Sequence, residues 1–148
     1  MNVATPVSRQ PPNVEHLSPV SFNDAVTAWA DRRFEPNGVG DTVIEITVEE
    51  GSIIERALDV DGGIRGMLKK EQAAEYEARL KLTIRAVGPD RGQRASAAAE
   101  VWRTQTIGED ASLSDRQAAL LAIVEETVNA MDTRLMPDFR RYFADYIL

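Results

Sequence analysis

The sequence predicts an α+β domain: an antiparallel sheet of three or four strands, with an N-terminal helix and a long C-terminal helix packed on one of its faces. Three observations lead there. Between Ser112 and Leu148, the apolar residues Leu121, Val124, Val128, Met131 and Leu135 recur at three- and four-residue steps, the period of a helix with one apolar stripe. In 42–58 and 76–87 apolar residues fall at every second position, the period of a half-buried strand. The segment Gly88-Pro89-Asp90-Arg91-Gly92 then turns the second of these strands back as a hairpin. Helices at both ends of a run of strands bury their apolar surface by lying on one face of the sheet.

Length and composition place limits on this picture. A chain of 148 residues has the length of one domain, read as a proline-rich arm or tether over 1–20 and a single α+β domain over 21–148. The net charge of −7 argues against binding nucleic acid, which relies on basic residues neutralising phosphates, and disfavours docking on anionic lipid. With no cysteine, disulfides, thiolate metal sites and cysteine nucleophiles are excluded, although the compartment stays open. No run approaches the ~20 apolar residues of a transmembrane helix. The N-terminus lacks the charged start and apolar centre of a signal peptide.

In chain order, Pro6, Pro11, Pro12 and Pro19 make residues 1–20 an extended linker, within which Val14 and Leu17 offer a short edge strand as the alternative. Ser21 caps the first helix, with Asp24 completing a shortened capping box. Phe22, Val26 and Trp29 form its inner face, and Pro36-Asn37-Gly38 ends it. From Thr42, Ile44, Ile46 and Val48 alternate with polar residues. Gly51-Ser52 then interrupts, giving either one bulged strand or a strand, a bend and a second strand. Glu49 and Glu50, adjacent on a strand, point to opposite faces and read as a solvated strand end. Residues 59–75 form a glycine-hinged loop leading into a short helix around Met67–Ala74; the loop presents Ile64, Arg65, Met67 and Leu68 as contact residues.

Tyr76 to Val87 is the clearest strand. The return segment 94–107 has a helical first half and a strand-like second half, and the tight turn decides for strand. Ala95, Ala97, Ala99 and Val101 then make a small-residue face for the long helix, and Trp102 falls on the opposite face with Thr104 and Thr106. Ser112 or Ser114 caps the long helix, Ser114 pairing with Gln117, and Leu120 and Ile123 widen its stripe. Pro137 either kinks this helix or begins another. Beyond it Phe139, Tyr142, Phe143 and Tyr146 crowd the end, packed on the first helix or the arm, or open to a partner.

The chemical inventory is thin. His16 is the only histidine and lies in the arm, so neither a histidine zinc site nor a serine–histidine–aspartate triad can be assembled. Asp59-x-Asp61-Gly62 lacks the later acidic ligands of a calcium loop, and no Gly-x4-Gly-Lys phosphate loop occurs. The carboxylates Glu75 with Glu77 sit among lysines and arginines, and Glu125-Glu126 borders the stripe facing water. No catalytic residue, metal ligand or cofactor is expected.

The element order resembles that of small bacterial cell-envelope lipoproteins, of the lipopolysaccharide-assembly and ABC-transporter auxiliary kinds. The arm Thr5-Pro6-Val7-Ser8-Arg9-Gln10-Pro11-Pro12 looks like the tether that follows a lipidated cysteine in such proteins. The resemblance implies a non-catalytic periplasmic protein, anchored through an upstream lipidated cysteine, that binds a partner protein or lipid. Its expected contacts are Ile64, Arg65, Met67, Leu68, Trp102, Phe139, Tyr142 and Tyr146. The rival readings are a cytoplasmic domain that dimerises through the helix stripe, and a small enzyme or ligand carrier using the open sheet face near Trp102.

Overall fold

The computed structural model describes residues 2–3, 8–34, 41–58 and 72–147. Its elements are β1 (Asn2–Val3), α1 (Phe22–Arg33), β2 (Val43–Ala57), β3 (Gln72–Val87), β4 (Gln93–Gly108) and α2 (Leu113–Tyr142), with a single 3-10 turn at Glu15–Leu17. The sheet order is β1-β2-β3-β4. The three long strands run antiparallel, and β1 adds a two-residue parallel pairing to Thr47 and Val48. Both helices cover the same face, α1 over β2 and α2 over β4 and β3. The α+β arrangement is the one the apolar periods predict.

The core follows from strand parity. In β3 every even residue from Ala74 to Ala86 is buried, and in β4 the odd residues Ala95, Ala97, Val101 and Ile107 are. β2 changes parity halfway. Ile46 and Val48 are buried, then Gly51 and Ile53, because a bulge between Val48 and Glu50 inserts one extra residue. β2 is therefore one bulged strand. Gly51 is where α1 comes closest: a Cβ built there would lie 2.9 Å from Phe22 Cβ, so a hydrogen is what fits.

α1 starts as predicted, with the Ser21 hydroxyl accepting from the Asp24 amide at 3.1 Å. α2 departs from expectation in three ways. Its cap is Ser112, in a reciprocal box with Asp115, rather than Ser114 with Gln117. The helix runs unbroken through Pro137, whose ring sits on the exposed side. Its buried line is Leu120, Ile123, Val124, Thr127, Val128, Met131, Leu135 and Phe139, with Leu121 on the flank. Thr127 is tolerated there because its hydroxyl donates to the Ile123 carbonyl at 2.6 Å. This line is buried against the chain's own sheet.

Residues 94–107 are strand, paired with β3 along their length. Gln72 to Ala74 also belong to β3, not to the end of a short helix; the strand gains these residues because Ala74 lands on the buried side opposite Ile107. The rest of that expected helix, the 59–71 loop and Pro36-Asn37-Gly38 lie outside the described residues. Part of the proline-rich arm is docked: the Val14 amide donates to Ile53 O (2.8 Å) and Glu55 donates to Pro12 O (2.9 Å). Val14 packs on the core, whereas Leu17 is exposed.

Candidate functional site

The sheet face turned away from the helices carries the odd residues of β3 and the even residues of β4. Long charged side chains stand on it at cross-strand spacing, and opposite charges within that reach pair. Glu77 holds Arg56 at 3.0 Å and Arg79 at 3.6 Å, and Arg79 continues to Glu100 at 3.8 Å. Lys81 holds Glu49 at 2.9 Å, and Thr83 donates a 2.6 Å hydrogen bond to the same carboxylate. The result is a lattice of paired charges across all three long strands.

Glu49 alternates with the buried Ile46 and Val48 and so faces this side as on any regular strand. On a regular strand Glu50 would face the helices. The extra residue of the bulge turns Glu50 to the uncovered side as well, where it accepts from Ser52 Oγ at 3.1 Å. The expected solvated strand end is thus a mid-strand carboxylate pair with separate partners. The hydrogen bonds from Thr83 and Lys81 hold the Glu49 carboxyl below its ordinary range, and Glu49 in turn pushes the Lys81 ammonium up. Such groups carry charge at neutral pH and do not exchange protons there. The Tyr76 phenol, buried beside α2, is likewise pushed up by desolvation and stays neutral, its oxygen 3.5 Å from Arg116 Nη1.

Trp102 interrupts the charges. It lies opposite Arg79 on β3 and is 60% exposed, a large apolar surface that a monomer leaves in water. Next to it, between the outer edge of β4 and the flank of α2, runs an open groove of about 860 Å³, lined by Trp102, Arg103, Glu126, Ala130, Arg134 and Pro137 among others. A second hollow of about 570 Å³ lies toward the far end of β4, around Gln105, Asp110 and Asp115. Asp115 is engaged there in the α2 cap, and Gln105 Oε1 is buried with no hydrogen-bond partner.

Of the residues expected to meet a partner, those among the described residues are not gathered into one patch. Phe139 is fully buried and is corrected to a core residue: it stacks on Trp29 with centroids 6.1 Å apart and meets Phe34 and Phe143 edge-on. Aromatics crowd this chain end because α1 supplies their other half. Tyr146 packs at the margin of the same cluster, against Phe143. Tyr142 is exposed, with the Arg141 guanidinium 5.1 Å from its ring centre. Ile64, Arg65, Met67 and Leu68 lie outside the described residues. His16 is exposed on the 3-10 turn. Among the described residues, no three histidines or carboxylates converge as a metal site, and no helix is long and apolar enough to cross a membrane.

The bulged strand is one of the two readings that Gly51-Ser52 allows, and the structure decides for it; the groove flank is not among the sequence-based expectations. The parity change from Ile46 and Val48 to Gly51 and Ile53 was the available signal for the bulge. Glu126 and Arg134, eight positions apart on the polar side of α2, were the signal for the flank.

Compared with protein-family models and with curated proteins, the chain matches none.

Proposed function

We propose that the chain is a non-catalytic accessory protein of the bacterial cell envelope, held by an upstream lipid anchor, that binds a partner protein on the uncovered face of its sheet. The observation that carries this reading is Trp102, exposed at 60% amid ion-paired side chains. An aromatic anchor beside arginines, rimmed by paired charges, is the composition that protein interfaces concentrate. The face is also large enough. Three strands ~4.8 Å apart and ~50 Å long present roughly 700 Å², close to the ~800 Å² each partner contributes to a standard interface.

Two features favour binding over catalysis and protein over lipid. The titratable groups on the face are committed to one another, with Glu49 held ionised and Lys81 protonated. Both signs of charge alternate across the face on a chain of net charge −7, which suits a protein surface better than an anionic headgroup layer. The envelope location rests on the resemblance of the arm and element order to tethered lipoproteins.

Photo-crosslinking in cells expressing the natural gene tests the binding face. A photoreactive residue at position 102 is expected to give a discrete protein adduct. The same residue at Leu113, which is 74% exposed at the start of α2, is expected to give none. A lipid adduct, or the same products from both positions, overturns the reading. The location is tested separately by metabolic labelling with an alkyne fatty acid, where an unlabelled gene product removes the anchor.

A further inference from the structure

The two edges of the sheet are finished differently. The outer edge of β2 is covered by the chain itself, through Asn2–Val3 and through the hydrogen bonds of Pro12 and Val14. The outer edge of β4 has no strand on it among the described residues. β4 is 16 residues long, contains no proline or lysine, and pairs with β3 in unbroken register from Ala95 to Ile107. Proline, lysine and bulges are among the devices by which proteins blunt a bare edge; β4 has only the charges Arg94, Glu100 and Arg103 along it, and a long, regular edge is a template for another strand.

We propose that β4 pairs antiparallel with β4 of a second copy, about a two-fold axis through Val101, joining two sheets into one. The sequence of the strand is self-complementary about that residue. On the helix side, Ala99 meets Arg103, Ala97 meets Gln105 and Ala95 meets Ile107, a small side chain against a large one in each pair. On the uncovered side, Ala98 meets Thr104, Ser96 meets Thr106 and Glu100 meets Trp102. No like charges oppose. Moving the axis to Glu100 or Arg103 sets a charge against its own copy, and moving it to Ala97 shortens the pairing to Gln93–Val101.

The flank of α2 is self-complementary about the same place. The groove beside Val101 and Trp102 is bordered on the helix by Glu126, Ala130 and Arg134. Ala130 is the small residue at the middle, with Glu126 about one turn before it and Arg134 about one turn after. Two such flanks facing each other antiparallel place each Glu126 beside the other copy's Arg134, with the alanines at the crossing. Strand and helix therefore call for one axis, and the groove of about 860 Å³ is the space the second flank enters. A closed two-fold pairing uses up both bare edges, which an open chain of copies would not. Trp102 stays on the uncovered face, so this inference does not rest on the partner reading above.

The test is a charge exchange at exposed positions that oppose each other only in this register. The full chain, Ala98→Lys/Thr104→Lys and Ala98→Lys/Thr104→Glu are compared by sedimentation across a dilution series, with near-ultraviolet circular dichroism as the check on folding. The parent is expected at twice its 16.4 kDa mass. The double-lysine form, with like charges at both symmetry-related contacts, is expected to dissociate about tenfold more readily than the lysine–glutamate form. A parent that stays monomeric at high concentration overturns the proposal. So does equal dissociation of the two variants, which would put any dimer on another surface.

Discussion

The two faces of this sheet are made by the same three strands and obey opposite rules. Under the helices, Ile53, Leu80, Leu82 and Ile84 are wholly buried, and α1 and α2 close over them. On the other side, the residues alternating with these, among them Arg79, Lys81 and Arg85, stand in water, where Arg79 pairs with Glu77 and Glu100 and Lys81 pairs with Glu49. What the difference teaches is a division of labour. The covered face supplies most of the stability, because apolar burial is worth ~25 cal/mol per Å² whereas exposed ion pairs are worth at most about 1 kcal/mol each. The uncovered face is therefore free to be specified by what it contacts.

Substitutions on the covered side are expected to break the fold, beginning with Val128→Asp. Val128 is buried on α2 in the apolar core, and an unpaired buried charge costs several kcal/mol, on the order of the whole stability. Its circular dichroism melt is expected to show no cooperative transition. A melt like the parent's would remove Val128 from the core. Gly51→Ala comes next, at about 2 kcal/mol, because its Cβ would press on Phe22 at 2.9 Å. Urea titration checks it. The loss is expected to shrink in a Phe22→Ala background, since the two residues share one contact.

Asp132→Ala probes a polar tie between the two helices. Its carboxylate accepts from Trp29 Nε1 at 2.8 Å and from Arg33 Nε at 2.9 Å, holding α1 against α2. Removing it leaves a half-buried indole N–H and a guanidinium without an acceptor, about 1–3 kcal/mol in urea. A loss no larger than a surface substitution would mean that aromatic packing alone fixes the two helices. On the uncovered side, by contrast, Trp102→Ala is expected to leave stability within about 0.5 kcal/mol, because 60% of its surface is in water already. A larger loss would make Trp102 part of the core and erase the contrast between the faces.

Legibility in the sequence followed the same division. The covered face was readable because burial imposes a period: two in Tyr76–Val87, near 3.6 in α2. Even the helix-like Ala95–Glu100 resolved to strand, since the hairpin turn delivers it beside β3. What stayed hidden depends on contacts distant in sequence. Packing on the first helix is one of the readings the sequence offers for the aromatic end, but nothing near Phe139 names Trp29 and Phe34 as its partners, which leaves a partner surface open as well. Nothing near Asp132 announces Trp29 and Arg33. The sequence offers both Ser112 and Ser114 as the α2 cap and a box for Ser114 with Gln117, whereas the reciprocal bond between Ser112 and Asp115 is a matter of geometry. The uncovered face has no period that specifies a partner, so its alternation told where water is and not what displaces it.

The smallest effect is also the most discriminating test of the uncovered face. Glu49 accepts from Thr83 and Lys81, and those bonds hold its carboxyl below the ordinary range in the folded chain. A depressed carboxyl contributes stability that is present above its unfolded-state value, ~4.3, and is lost as the pH falls through the lower folded-state value. Because the pair is partly exposed and screened, the contribution is expected to be a few tenths of a kcal/mol. Glu49→Gln keeps the shape and an acceptor oxygen but cannot be protonated. Urea midpoints of parent and variant are therefore expected to differ by a constant amount from pH 7 to pH 5, and to converge below about pH 4. Convergence would show a working ion pair on the uncovered face. A difference that persists unchanged to low pH would show that Glu49 matters through the backbone of the bulge, and that the lattice around it adds no stability of its own.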